Sequence, residues 1–361
     1  MAEQLKNLYT KAYIQNLANT IKKHYKNLDE ESFINAIFDS NWQNLELKAR
    51  MRHIALRLHA FIPLTYNKQL EILKTVSKDF IGLEAMVFQD FVEVFGLDDL
   101  EESLKALEVF TLESSSEFAI RQFILHYETQ TMNQMKLWAQ SSNEHLRRLS
   151  SEGCRPRLPW AVALPRFKKD PTLVLEIIEL LKNDKSKYVQ KSVANNLNDI
   201  SKDNPHLVIK FVKNNLGVSK ELDWICKHGS RTLLKQGNKE VLALFDFDKS
   251  HHVLVSNFYY DKKVKVDEHL TFSFEVNSDE TIGNLRVEYA IYYLKSNNTH
   301  NKKVFMISQN EIKSSSKKFV KKQSFKNMTT RKHYLGKHYI AILINGIEVL
   351  KKEFELHDSR H

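Results

Sequence analysis

Along residues 1–248 apolar positions recur every three or four residues in short blocks. Examples are LELKARMRHIALRLHAF (45–61), QLEILKTVSKDF (69–80), SLKALEVF (103–110), FAIRQFILHY (118–127) and LVLEIIELLKN (173–183). That spacing returns side chains to one face of a helix, so the segment reads as many short, half-buried helices. Several blocks open alike: SSEFAIRQFIL from Ser115, SNEHLRRLS from Ser142, KSKYVQKSVANNL from Lys185 and SKELDWICKHGSRTLLK from Ser219. Each offers a serine cap candidate followed by apolar and basic residues in alternation. The intervals are irregular, which suits a degenerate HEAT-like α-solenoid whose helix pairs bury their apolar faces on their neighbours and curve into a concave surface. An irregular helical domain is the alternative.

From His251 onward the period becomes two. HVLVSNFYY (252–260), VKVDEHLTFSFEV (264–276), LRVEYAIYYLK (285–295), KVFMISQ (303–309), KKFVKKQSF (317–325) and HYIAILINGIEVLKKEFEL (338–356) are rich in β-branched and aromatic residues, with NSDETIGN and KSNNTHN between them as turns. Asn345-Gly346 between two strand-like runs signals a tight hairpin. The expected fold is mainly α: a HEAT-like solenoid over 1–248, then a C-terminal antiparallel, immunoglobulin-like β-sandwich over 252–361, with the boundary near 247–252. A chain of 361 residues has room for two such domains.

The formal net charge is +10 and the pI about 9.2, and the excess is uneven. Residues 1–113 carry 13 Lys/Arg against 17 Asp/Glu, residues 114–250 carry 22 against 15, and residues 251–361 carry 19 against 12. Accumulated cations over the last two segments point to a polyanion, nucleic acid first, with solubility as the plainer reason. The N-terminus MAEQLKNLYTKAYIQNLANTIKKHY mixes acids and bases and lacks the apolar run of a signal peptide or membrane span, so a soluble, cytoplasmic protein is expected. Two distant cysteines, Cys154 and Cys226, fit neither a disulfide framework nor a four-ligand zinc site.

No Gly-rich phosphate loop, Walker sequence, HExxH, CxxC or GxSxG pattern occurs, and neither the His251-His252 pair nor the scattered histidines have ligand spacing. No metal or cofactor is expected. The candidates left are carboxylates among arginines and tryptophans. In SEGCRPRLPW (151–160) two prolines, Pro156 and Pro159, end a helical pattern and stiffen the connection that follows it. The run RRLSSEGCRPRLPWA (147–161) resembles the signature of the AlkC-type DNA alkylation-repair glycosylases, relatives of AlkD in the HEAT-like glycosylase superfamily. SSEFAIR (115–121), SVANNLNDISKDNP (192–205) and KHGSRTLLK (227–235) support the resemblance in order and spacing. The β-module matches the subgroup that carries an appended immunoglobulin-like domain.

The resemblance implies that Glu117, Glu152 and Asp199 line a cleft as the catalytic carboxylates, that Arg148 and Arg155 frame it, and that Trp160 packs at the lesion; Cys154 receives no role. It also implies excision of cationic N-methylated bases, such as 3-methyladenine and 3-methylcytosine, without full base flipping. The chemistry asks for such residues independently. A base methylated on a ring nitrogen leaves as a neutral species, so the difficulty lies at the sugar, where oxocarbenium character at C1′ is stabilised by a nearby carboxylate. An indole face adds cation–π attraction of about 0.5–2 kcal/mol to a cationic base.

Plainer readings stand beside these. Glu117 can charge the first turn of its helix, Glu152 can be a solvated residue before a glycine cap, Asp199 can end a helix, and Trp160 can belong to the core. Arg157 and Arg166, with the Arg148 and Arg155 cluster, suit phosphate or lesion framing, although surface pairs are the alternative. Lys187, Lys191, Lys227, Arg231 and Lys235 sit on two later repeat-like helices, where they can follow a phosphate backbone or simply be solvated. KKFVKKQSF and RKHYLGKH interleave cations with aromatics and offer the β-module a grip on DNA. The function expected is a monomeric, monofunctional DNA glycosylase acting on alkylated duplex DNA, with no lysine in the motif calling for a lyase step. A non-catalytic nucleic-acid-binding scaffold is the runner-up, and a protein–protein adaptor the third reading.

Overall fold

A computed structural model describes residues 5–247, 253–327 and 332–358. His251, His252 and Arg331, named above, lie outside the described residues. Among the described residues the chain forms sixteen α-helices, from α1 (Lys11–His24) to α16 (Lys239–Leu244), followed by eight β-strands, from β1 (Leu254–Tyr260) to β8 (Ile347–His357). The switch from helix to strand thus falls between Leu244 and Leu254. No helix among these residues is long and apolar enough to cross a membrane.

By compactness the chain divides into two units, Met1–Asn204 with Leu216–Gly229, and Pro205–Asn215 with Ser230–His361. In the first unit the helices pack on chain neighbours through fully buried apolar side chains, among them Ile14, Leu17, Ile54, Leu70, Phe91, Phe123, Ile177 and Leu197. The helices that build or support the site are α7 (Ile120–His126), α9 (Glu144–Gly153) and α12 (Lys187–Ile200), with α8 (Glu128–Trp138) and α14 (Lys220–Gly229) packed beside them. Helix α12 packs between α9 and α14. Its own buried side chains lie on nearly all sides: Val189, Val193, Ala194, Leu197 and Ile200, and the polar Ser192, Asn196, Asn198 and Asp199. The serine caps expected from the sequence are realised unevenly. Ser219 Oγ accepts the Leu222 amide of α14 at 3.1 Å, whereas α9 is capped by Asn143, whose Oδ1 accepts the His145 amide at 2.8 Å. Ser186 precedes α12 without a capping bond and bonds Glu144 instead.

The second unit holds α13 (Pro205–Asn215), α15 (Arg231–Lys235), α16 and the strands. Strands β3 (His269–Asn277) and β6 (Ser316–Ser324) form one sheet with β1, in the order β1-β3-β6. The other sheet runs β2-β8-β7-β4-β5, with β2 at Lys263–Lys265, β4 at Gly283–Leu294, β5 at His300–Ile312 and β7 at Gly336–Ile344. The expected sandwich forms, with one departure from an antiparallel arrangement: β2 runs parallel to β8, Val264 opposite Leu356. After β1 the chain crosses to the second sheet and lays three residues along the outer side of its last strand, covering an edge that would otherwise offer unpaired amides. Alternating Leu270, Phe272, Phe274 and Val276 of β3 meet Val287, Tyr289, Ile291, Ile340 and Ile342 in the core. Aromatic packing serves where an immunoglobulin domain commonly has a disulfide: Phe272 and Tyr289 lie 4.9 Å apart, and the Tyr289 hydroxyl donates across to Gln323 at 2.7 Å. Asn345 and Gly346 both take positive φ, 49° and 76°, the tight hairpin turn that an Asn-Gly pair favours. Gly346 also needs to be glycine because its Cβ position lies 2.6 Å from Gly237 Cα.

Candidate active site

The site is assembled from three pieces of chain in the first unit. Glu117 sits in the turn that leads into α7, Arg148 and Glu152 lie one turn apart on α9, and Asp199 ends α12. The connection after α9 adds Arg155 and Trp160. On α12, Ser192, Asn196 and Asp199 follow one another at four- and three-residue spacing, so they share the face that meets α9.

Acids and guanidinium groups alternate through the site. Arg148 Nη1 lies 2.5 Å from Glu117 Oε2 and donates to Ser115 Oγ at 2.8 Å; its Nη2 is 3.8 Å from Glu152 Oε1. Arg155 Nη1 reaches the same Glu152 oxygen at 2.5 Å, and its Nε and Nη2 both meet Asp199 Oδ2 at 2.8 Å. Ser192 Oγ donates to Glu152 Oε2 at 2.6 Å, and Lys202 Nζ donates to Asp199 Oδ1 at 3.0 Å. Burial opposes the charge on Arg148 and Arg155, but the flanking carboxylates prevail and hold both guanidinium groups above their ordinary pKa. These arginines are fixed cations. Their charge keeps three acids together, 5% exposed at Glu152 and 2% at Asp199, in surroundings that would not tolerate unpaired anions.

The burial of Glu152 removes its reading as a solvated residue before a glycine cap; Asp199 does stand at the end of α12, but buried and paired with Arg155. Trp160 is not a core residue: it is 64% exposed. Its φ is +64°, a conformation that costs a non-glycine residue energy and is held here by its surroundings. The connection closes on itself through Leu164 N to Pro156 O at 3.2 Å, and Lys48 Nζ donates to the Trp160 carbonyl at 2.9 Å.

One residue that carries the site was missed as a site residue in the sequence. Arg121, on α7, is fully buried. Its Nη1 donates to the carbonyls of Gly153 at 2.9 Å and Arg155 at 2.8 Å, and its Nε to Val162 at 2.5 Å, so one side chain ties down both ends of the RPRLPW connection. Burial draws its pKa down to about 10. Ser192 and Asn196, whose Nδ2 donates to Ser151 O at 2.8 Å, were also missed. The polar stripe at helical spacing was the available signal. Cys154 is fully buried and burial pushes its thiol up to about 12, so it is no nucleophile.

A cleft of about 570 Å³ opens at this cluster, lined by Glu117, Phe118, Arg148, Glu152, Arg155, Trp160 and Tyr188 among others. Tyr188 lies under the Arg148 guanidinium, 5.0 Å from it. Asp199 does not line the cleft; it stands behind Arg155. A groove of about 750 Å³ beside α1 is roomier, but Lys11, Lys22 and surface acids line it with no aromatic side chain. The remaining predicted cations are dispersed. Arg157 forms a two-pronged pair with Asp203 at 2.9 and 2.6 Å, and Arg166 pairs with Glu128 at 2.8 Å. Lys187 and Lys191 are on α12, Lys227 on α14, and Arg231 and Lys235 on α15, hence on three helices and not two. The break falls after Gly229, whose Cβ position lies 3.0 Å from Leu197 Cβ and needs the close approach that glycine permits. Among the described residues no cluster of three or more His, Cys, Asp or Glu could hold a metal ion.

Comparison with known proteins places this geometry. Residues 98–240 match the family model of the DNA alkylation repair enzymes, and residues 255–358 that of the C-terminal Ig-like domain of YhaZ. The uncharacterised protein YhaZ of Bacillus subtilis (strain 168) is 42% identical over 344 residues, 95% of this chain and 96% of that protein. The solved structure of the Pseudomonas fluorescens alkylpurine DNA glycosylase AlkC, bound to DNA containing an abasic site analog, superposes with a TM-score of 0.93 at 35% identity, covering 98% of this chain and all of that one. The chain therefore belongs to the AlkC family of DNA alkylation-repair proteins, in the group with a C-terminal Ig-like domain.

Proposed function

We propose that the protein is a monofunctional DNA N-glycosylase that removes cationic N-methylated bases of the 3-methyladenine and 3-methylcytosine class from duplex DNA, without drawing the lesion fully out of the stack. The observation that carries the reading is the pair of carboxylates, Glu117 and Glu152, lining one cleft beside the outward-held Trp160 and paired with Arg148 and Arg155. The whole-length likeness to a protein solved on abasic-site DNA supports it. An indole in the open attracts a cationic ring, and a neutral normal base lacks that attraction. As the C1′–N bond breaks, its electron pair passes to the ring and neutralises it. The sugar is left with oxocarbenium character facing fixed negative charge. Water then adds at C1′ and gives up its proton to Glu152 or Glu117, or to solvent. Asp199 acts from behind, holding Arg155 and adding to the negative field. The lysine beside the lining, Lys48, has its Nζ engaged with the Trp160 carbonyl at 2.9 Å, and the reading is simple hydrolysis without a Schiff-base step.

The test is to incubate the purified protein with alkylated duplex DNA and identify the bases set free. Release of 3-methyladenine or 3-methylcytosine is expected. Glu117→Gln, Glu152→Gln and Asp199→Asn should each slow release at least about a hundred-fold, the usual loss when one group that stabilises a transition-state charge is removed, while DNA binding persists. Unchanged release by all three variants rejects the assignment, and tight binding with no release by the wild type leaves a scaffold.

A further inference from the structure

A second cleft, of about 390 Å³, lies beside the first turn of α12 and is lined by Lys187, Gln190, Lys191, Lys220, Glu221 and Trp224. Lys187 is followed by Tyr188, which lines the cleft of the carboxylates, so the two hollows meet the same helix end. None of the three lysines forms an ion pair among the described residues, and all three are exposed. Trp224 is 44% exposed, and it stacks on His228 at 4.8 Å with the rings 8° from parallel. A stiffened indole facing a hollow ringed by three ammonium groups has the chemistry of a nucleotide site: a flat apolar face for a base and cations for the phosphates on either side of it. Glu221, the one carboxylate in the lining, can accept a hydrogen bond from a base N–H. The volume suits one nucleotide and is far too small for a duplex.

We infer that this cleft is a second nucleotide subsite, in which Trp224 stacks on an unpaired base of the strand that runs past the carboxylate cleft while Lys187, Lys191 and Lys220 hold its phosphates. The inference rests on the reading of DNA as the ligand. It goes beyond that reading by placing an unstacked nucleotide away from the reacting sugar.

The experiment measures binding of the full-length protein to a labelled duplex holding a tetrahydrofuran abasic-site analogue, which needs no turnover, and base release from methylated duplex in parallel. Trp224→Ala should weaken binding on the order of ten-fold, the loss typical of one base–aromatic stack, and Trp224→Phe should restore most of it. The triple variant Lys187→Ala, Lys191→Ala, Lys220→Ala should lower the slope of log K against log salt by up to about three. Trp224→Ala binding within two-fold of wild type, or equal loss in Trp224→Phe, overturns the stacking subsite. Trp224-dependent binding by a wild type that releases no base supports the subsite and sinks the glycosylase reading. Base release with Trp224-independent binding does the reverse.

Discussion

Arg121 shows how much a single buried side chain can decide. It has no carboxylate partner in the contacts described; three backbone carbonyls receive it, and its Nη2 is buried with no hydrogen-bond partner at all. Such a placement is expensive unless the carbonyls gain as much as the guanidinium loses. Arg121→Ala would leave the Gly153, Arg155 and Val162 carbonyls without their donor and should cost about 3 kcal/mol, read as a lower urea midpoint; Arg121→Lys should fall between the two. A midpoint equal to wild type for Arg121→Ala would show that water replaces the side chain freely. At this scale the sequence was partly legible. Glu117, Arg148, Glu152, Arg155 and Asp199 were named through the family resemblance, and no local pattern told which oxygen meets which nitrogen. Nor was the left-handed φ of Trp160 legible, because nothing in Leu-Pro-Trp-Ala requires it.

Among the elements, α9 ends where the site begins. Gly153 closes the helix without a positive φ, and the reason for glycine is contact: a Cβ there would lie 2.6 Å from Ile120 Cγ2 and 3.2 Å from Met135 Cε. Ile120 is β-branched and fully buried, so it cannot easily yield. Gly153→Ala is expected to destabilise by about 1–2 kcal/mol, the overpacking cost less the helix-propensity gain of alanine. Chemical denaturation would measure this, and a raised midpoint would show that α7 and α9 separate at little cost. Helix and strand periods were legible because each element buries a face, and burial imposes its period on the sequence. The parallel β2 was not legible. Three residues are too few for a pattern, and their partner, β8, lies about ninety residues further along the chain.

At the scale of the whole chain, the stability of the protein in acid should be limited by His338. This histidine is fully buried on β7 and stacked on Phe354; its Nδ1 accepts the Leu294 amide at 3.2 Å and its Nε2 donates to Tyr334 O at 2.9 Å. Burial, with a smaller push from the charge of His300, lowers its pKa below the ordinary 6.5. A proton on Nδ1 would also set one donor against another. The folded protein therefore binds fewer protons than the unfolded chain just below pH 6.5. The stabilisation is complete above that pH and is lost on acidification, by at most about 1.4 kcal/mol per pH unit. Nuclear magnetic resonance should find His338 titrating below 6.5, and the melting temperature should drop more between pH 7.5 and 5.5 in wild type than in His338→Gln. Equal drops would place the acid-sensitive group elsewhere.

Sequence by itself determined the two architectures, the hairpin at Asn345-Gly346 and the basic surplus after residue 113. These are local or additive properties: a helical period, a turn dihedral preference and a sum of charges need no partner from elsewhere in the chain. Tertiary structure alone decided that Asp199 stands behind Arg155 and outside the cleft, that Trp160 points outward, that Arg121 secures the connection, and that Trp224 faces three lysines. Each of these depends on which face of one helix meets which face of another, and that choice is made by packing across tens of residues, where no local pattern records it.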